Sequence, residues 1–158
     1  MKHSLKTGVS FGLTSAIITT LGLMVGLYSG TGSKALVIAG ILTIAIADAF
    51  SDALGIHISE ESENKHSHKE IWESTIYTFI SKFVFSSSFI LAFLFLPLQT
   101  AVVINILWGI CLLIAFNLYL AKDNKTGAWK VVAEHLLIAL VVIFLTHFVG
   151  IWINAAVY

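Results

Sequence analysis

Arginine is absent from this chain of 158 residues; all nine basic residues are lysine, and nine acidic residues bring the net charge to zero. Without a basic excess there is no electrostatic footprint for nucleic acid. Cysteine occurs once, as Cys111 inside an apolar run, so no disulfide framework can form. Charge of either sign is scarce at 11%, against 58% hydrophobic residues and a mean hydropathy of +0.92. A soluble domain of this length has a polar surface to cover, and this composition cannot cover it. Several runs approach or exceed the ~18–20 apolar residues that cross a bilayer.

What is present predicts an all-α, polytopic membrane protein, one domain over residues 1–158 with almost nothing outside the lipid. Five spans are expected at about 8–28, 35–58, 76–96, 98–120 and 131–157. Lys2 and Lys6 before the first apolar stretch imitate a signal peptide, but no convincing cleavage site follows and more spans do, so the segment reads as a retained first helix. Residues 71–82 are amphipathic, with Ile71, Trp72, Ile76, Phe79 and Ile80 at helical spacing, and are expected to lie at the interface before span three turns inward. Pro97 and Gln99 mark a hairpin, and a polar connection containing Asp123, Asn124 and Gly127 precedes span five. The lysines set the orientation: Lys2, Lys6, Lys65, Lys69, Lys82, Lys122, Lys125 and Lys130 are assigned to one side and only Lys34 to the other. The positive-inside rule then makes the N-terminus cytoplasmic and the C-terminus external or lumenal.

The chemistry concentrates in residues 41–63, an apolar helix that comes to carry Asp48 and Asp52 one turn apart. At 100° per residue Asp48, Asp52, Gly55 and Ser59 share a face, with Ser51 beside them and His57 opposite. With the membrane edge near Ile58, Asp52 lies about 9 Å deep and Asp48 about 15 Å, close to the midplane. A charge at that depth costs at least ~2.5–3.5 kcal/mol, so it persists where it meets water, another charge or a cation. The two carboxylates can share a divalent ion, with Ser51, Ser59 or water completing an oxygen shell and a second helix or subunit adding the rest. The plainer alternative is a protonated aspartate hydrogen-bonded to a neighbouring helix.

The segment at about 59–70 reads as a short acidic mouth in which Glu60, Glu63, His66 and His68 recruit cations, unless it is only a solvated loop. Small residues recur on span one at Gly8, Gly12, Ser15 or Ala16, Thr19, Gly22, Gly26 and Gly30. Such a stripe serves either a dimer seam and pore wall or ordinary packing within the chain. Gly22 and Gly26 are therefore pathway or helix-packing residues, and Met24 is a candidate soft ligand facing the path. Glu134 and His135 suit a helix start, His147 either relays protons or bonds a backbone carbonyl, and Asn105, Asn117 and Asn154 are expected to bond between helices. Lys82 can neutralise Asp52, but snorkelling to the interface is the favoured fate.

Residues 8–27, GVSFGLTSAIITTLGLMVGL, followed by a short turn and IADAFSDALGIHISEES, resemble spans one and two of the vacuolar iron transporter family. The similarity is clearest over about residues 9–64; beyond them only the number and spacing of spans agree. The resemblance implies five spans, a cytoplasmic N-terminus and a homodimer with a metal path between the first and second spans of both subunits. It implies that Asp52 matches the metal-binding glutamate of span two and that Asp48 falls where members often carry methionine. The span-one aspartate of the family would fall at Phe11, and the larger cytoplasmic metal-binding insertion is reduced to about residues 59–70. An oxygen ligand in place of a thioether shifts preference toward harder ions.

The expected function is therefore transmembrane transport of a divalent ion, Fe²⁺ or Mn²⁺, by a homodimer, with protons competing for the same carboxylates. The ion is cargo, and no tightly bound cofactor is expected; lipid and a second copy are the expected partners. The cell membrane is the expected location and an internal membrane the alternative. An enzyme acting on lipid phosphate through Mg²⁺ lacks the basic residues that would hold the phosphate, so no enzymatic activity is expected. A non-transporting partner or assembly subunit, with the aspartates buried in an interface, is the second expectation.

Overall fold

The computed structural model describes residues 2–121 and 127–157. Lys122, Asp123, Asn124 and Lys125, which belong to the expected polar connection and to the count of lysines on one side, lie outside the described residues. The order of elements is α1 (His3–Thr31), α2 (Lys34–Glu63), α3 (His68–Ser88), α4 (Ile90–Phe95), α5 (Leu98–Ala121) and α6 (Ala128–Val157). With α3 and α4 taken as one span, five helices among the described residues are long and apolar enough to cross a membrane.

Local chemistry sets the breaks. Gly32 ends α1 in the left-handed region at φ 59°, and Ser33 caps α2 by accepting from the Leu36 N–H. At the far end of α2, Asn64 takes the same left-handed role at φ 52°, which asparagine tolerates better than most residues. Ser67 then opens α3 with a capping box: its hydroxyl accepts from the Glu70 N–H, and the Glu70 carboxylate accepts from the Ser67 N–H. The acidic mouth is thus mostly helical. Glu60 and Glu63 ride the last turn of α2, and only the short stretch at 64–67 is irregular.

Span three differs most from expectation. Residues 71–82 do not lie along the interface; they are the first half of an uninterrupted α3 packed between α1 and α2. The amphipathic pattern is real but inverted. Ser74, Thr78, Ser81, Lys82 and Ser86 are buried, whereas Trp72, Ile76, Ile80 and Phe83 are exposed on the outer surface. Hydrocarbon tails are as apolar as leucine, so small polar residues go to helix contacts and large apolar ones to lipid. At Phe89 the helix breaks after three consecutive serines, and Asn105 of α5 donates to the Phe89 carbonyl at 2.8 Å. Lys34 donates to the Leu96 carbonyl at 3.0 Å, beyond the end of α4, which accounts for the lysine at this end of the bundle.

α1 is the central helix, packed against α2, α3, α5 and α6. Its small residues are used within the chain, in two sets. Gly8 and Gly12 meet α3 so closely that an added Cβ would stand 2.6 Å from the Ser74 carbonyl and 2.7 Å from that of Thr78. Gly22, Gly26 and Gly30 meet Val142, Thr146 and Gly150 of α6, where Asn154 also donates to the Gly30 carbonyl at 2.8 Å. Packing within the chain therefore accounts for Gly22 and Gly26. Met24 is fully buried in a core with Leu21, Val37, Ile41, Phe89 and Phe93, so it is a packing residue and not an open ligand.

Candidate functional site

The three central spans carry a charged cluster. Lys82 of α3 has a fully buried side chain, and its Nζ pairs with Oδ2 of both Asp48 and Asp52 of α2. It also donates to Ser15 Oγ of α1 at 2.8 Å, and that hydroxyl donates onward to Asp52 Oδ2 at 2.6 Å. With α3 and α4 taken as one span, each of these residues is near the middle of its span, roughly 16–21 Å from the nearer end at 1.5 Å per residue. Lys82 does not snorkel. It belongs neither to the lysines of one membrane face nor to an interface; the Asp48/Asp52 pair holds it in the interior.

The reason is geometric. Ser74, Thr78, Ser81 and Lys82 form the inward face of α3, and Gly8 and Gly12 bring α1 close along that face. A long side chain leaving α3 there has no route to water without leaving the pair of carboxylates that satisfies it. Removing one partner from such a set typically costs ~3–5 kcal/mol, because the remaining charge stays buried and uncompensated.

Burial within the cluster is unequal. The Lys82 side chain is sealed, while those of Asp48 and Asp52 are 29% and 20% exposed. The carboxylates open along the side of α2 that carries Ser51, Gly55 and Ser59, all exposed, with nothing within 4 Å of a Cβ built on Gly55. Of the predicted oxygen shell, Asp48 and Asp52 come together. The hydroxyl that joins them is supplied by Ser15 and not by Ser51 or Ser59. Ser15 appeared in the sequence only as one member of the small-residue stripe; its place in the same stretch of sequence as GVSFGLTSA gave no separate sign of a polar contact. The lysine that pairs with the aspartates reaches them from α3 and not from their own helix.

The mouth sorts into two parts. Glu60 and His66 approach each other, with His66 Nε2 3.5 Å from Glu60 Oε2, and they are joined by His3, whose Nε2 is 3.5 Å from Glu60 Oε1. Glu63 is exposed and paired with Lys65 at 3.3 Å, and the His68 ring lies beside Trp72 at 6.4 Å between centroids. Neither joins the Glu60 group. His3 was not singled out by spacing, since a residue at the start of the chain shows no proximity to position 60 until α1 and α2 are packed.

Other polar residues have local partners. His147 Nδ1 is 2.6 Å from Ser29 Oγ, and His135 Nδ1 is 2.9 Å from the Val131 carbonyl. Asn105 and Asn154 bond between helices as expected, whereas Asn117 donates to Leu113 within its own helix. Phe11, where the resemblance would place a carboxylate, is 43% exposed in a cleft of about 420 Å³ that also contains Lys6, Ser10, Thr14 and His135. The chain matches no family model, no curated protein and no solved structure.

Proposed function

We propose that this protein carries a divalent cation across the membrane, with Asp48 and Asp52 as the ion's ligands and Lys82 as the counter-charge that holds the pair when the ion is away. The observation that carries this reading is the charge balance of the cluster. Two carboxylates and one ammonium leave one negative charge in the middle of the bundle, on the two side chains that are partly open. A net charge in that environment is costly, so the cluster is most stable when a proton or a cation supplies the missing positive charge.

The same arithmetic makes protons competitors of the ion, since either brings positive charge to the same carboxylates. The donor set is all oxygen, two carboxylates and the Ser15 hydroxyl, which suits Mn²⁺ at least as well as Fe²⁺. Three oxygens do not fill the shell of either ion, and the open side along Ser51, Gly55 and Ser59 is where water or a second copy adds the rest. A homodimer packed on that side would cover carboxylates that otherwise face lipid. The orientation follows the lysines: Lys2, Lys6, Lys65, Lys69 and Lys130 toward the cytoplasm, with Lys34 opposite.

A partner or assembly subunit is the second reading, and the sealed Lys82 favours it, since an ammonium bonded to oxygens from α1 and α2 also serves simply to lock three helices. Expression of Asp48→Asn and Asp52→Asn in metal-sensitive cells separates the two. Loss of metal resistance with dimers intact supports transport. Resistance unchanged with dimers lost supports the subunit.

A further inference from the structure

At the end of the bundle that holds the N-terminus, three side chains from three parts of the chain converge: His3 at the start of α1, Glu60 in the last turn of α2 and His66 in the turn before α3. One ligand atom from each lies within 4.8 Å of the others. Glu60 is only 7% exposed, an unusual state for a glutamate next to solvent, and its Oε2 has no hydrogen-bond partner. Both imidazoles aim Nε2 at this carboxylate from 3.5 Å, longer than the ~2.7–3.2 Å of a good N–H···O bond. The two imidazole–carboxylate separations match those of ligands around a common ion. Two atoms each bound at about 2.0–2.2 Å in tetrahedral geometry stand about 3.3–3.6 Å apart.

The rings themselves are stacked, 4.3 Å between centroids and 13° from parallel. A shared ion lies in the plane of each imidazole, so one ring turns to bind it, a motion open to the exposed His3 side chain. His3 Nε2 is also 3.4 Å from Thr7 Oγ1 one turn along α1, a contact too long to compete with a metal bond.

We infer that His3, Glu60 and His66 form a binding site for a borderline first-row divalent ion such as Zn²⁺, with water in the remaining position. Two imidazoles and one carboxylate prefer such ions over Mg²⁺ or Ca²⁺, which take oxygen shells. The site is separate from the Asp48/Asp52/Lys82 cluster and stands whether or not ions cross the membrane. Its ion would tie the first turn of α1 to the junction of α2 and α3.

The test is Zn²⁺ titration, by calorimetry, of the full chain purified in detergent without a histidine tag. One Zn²⁺ per chain is expected, unaffected by excess Mg²⁺, with Co²⁺ substitution giving visible ligand-field bands. His3→Gln and His66→Gln, at the chain start and in a turn, leave the core intact and each should weaken binding about tenfold or more. His68→Gln, at an exposed imidazole outside the group, should leave it unchanged. Absence of stoichiometric Zn²⁺ binding overturns the site, as does a titration unchanged in the His3→Gln/His66→Gln double variant or weakened as much in His68→Gln. Ion flux that fails while this titration succeeds would count against the transport proposal alone.

Discussion

Lys82 and its two aspartates behave as one unit, so single and double substitutions at these positions should not add. Lys82→Met leaves two carboxylates facing each other in the interior and should lower stability by ~3–5 kcal/mol. Thermal unfolding in detergent measures this. Adding Asp52→Asn removes one of the orphaned charges, and the Lys82→Met/Asp52→Asn protein should regain at least part of the loss. A double variant as unstable as the sum of the singles would mean that the three groups are not coupled. At this scale the sequence was half legible. Two aspartates one turn apart in an apolar helix announce themselves, because ionised side chains in a membrane span are costly. Lys82 did not, because its distance from the aspartates closes only when α3 packs on α2, and a lysine near the start of an apolar run is ordinarily expected to reach the interface. His3 was hidden for the same reason.

Helices were legible from hydropathy and their ends from Gly32, Ser33, Asn64 and Ser67. What misled was the face. Serine, threonine and lysine on residues 74–82 looked like the wet side of an interfacial helix, yet they form the contact with α1. In lipid the rule that polar residues face outward reverses, and periodicity alone does not say which solvent surrounds a helix. The glycines test this contact. Gly12→Ala places a methyl 2.7 Å from the Thr78 carbonyl, which belongs to rigid backbone, so α1 and α3 must separate and the unfolding temperature in detergent should fall by several degrees. Gly55→Ala, with nothing within 4 Å, should leave the monomer's stability unchanged within about 0.5 kcal/mol. Equal effects at the two positions would contradict the packing.

For the whole molecule, the number of spans was readable from composition, while sidedness and pairing rest on charge distribution and on the open face of α2. Both are testable in a Cys111→Ser background, which removes the exposed native thiol. Lys65→Cys should react with an impermeant maleimide only from the cytoplasmic side and Lys34→Cys only from the opposite side; the reverse would invert the orientation. Gly55→Cys, on the face where the carboxylates open, should cross-link two copies under oxidation if a homodimer covers that face. Monomer alone at every protein concentration would leave Asp48 and Asp52 facing lipid and remove the reason for a dimer.

The charge balance at Asp48, Asp52 and Lys82 is tested most directly by ion uptake into liposomes holding the purified protein, with internal pH followed at the same time. Wild type should take up Mn²⁺ or Fe²⁺ saturably and in preference to Mg²⁺, with protons moving in the opposite direction as the ion displaces them, and Asp52→Asn should abolish both signals. No flux of any of the three ions through correctly folded wild type would contradict transport and leave the aspartates as the binding partners of a structural lysine.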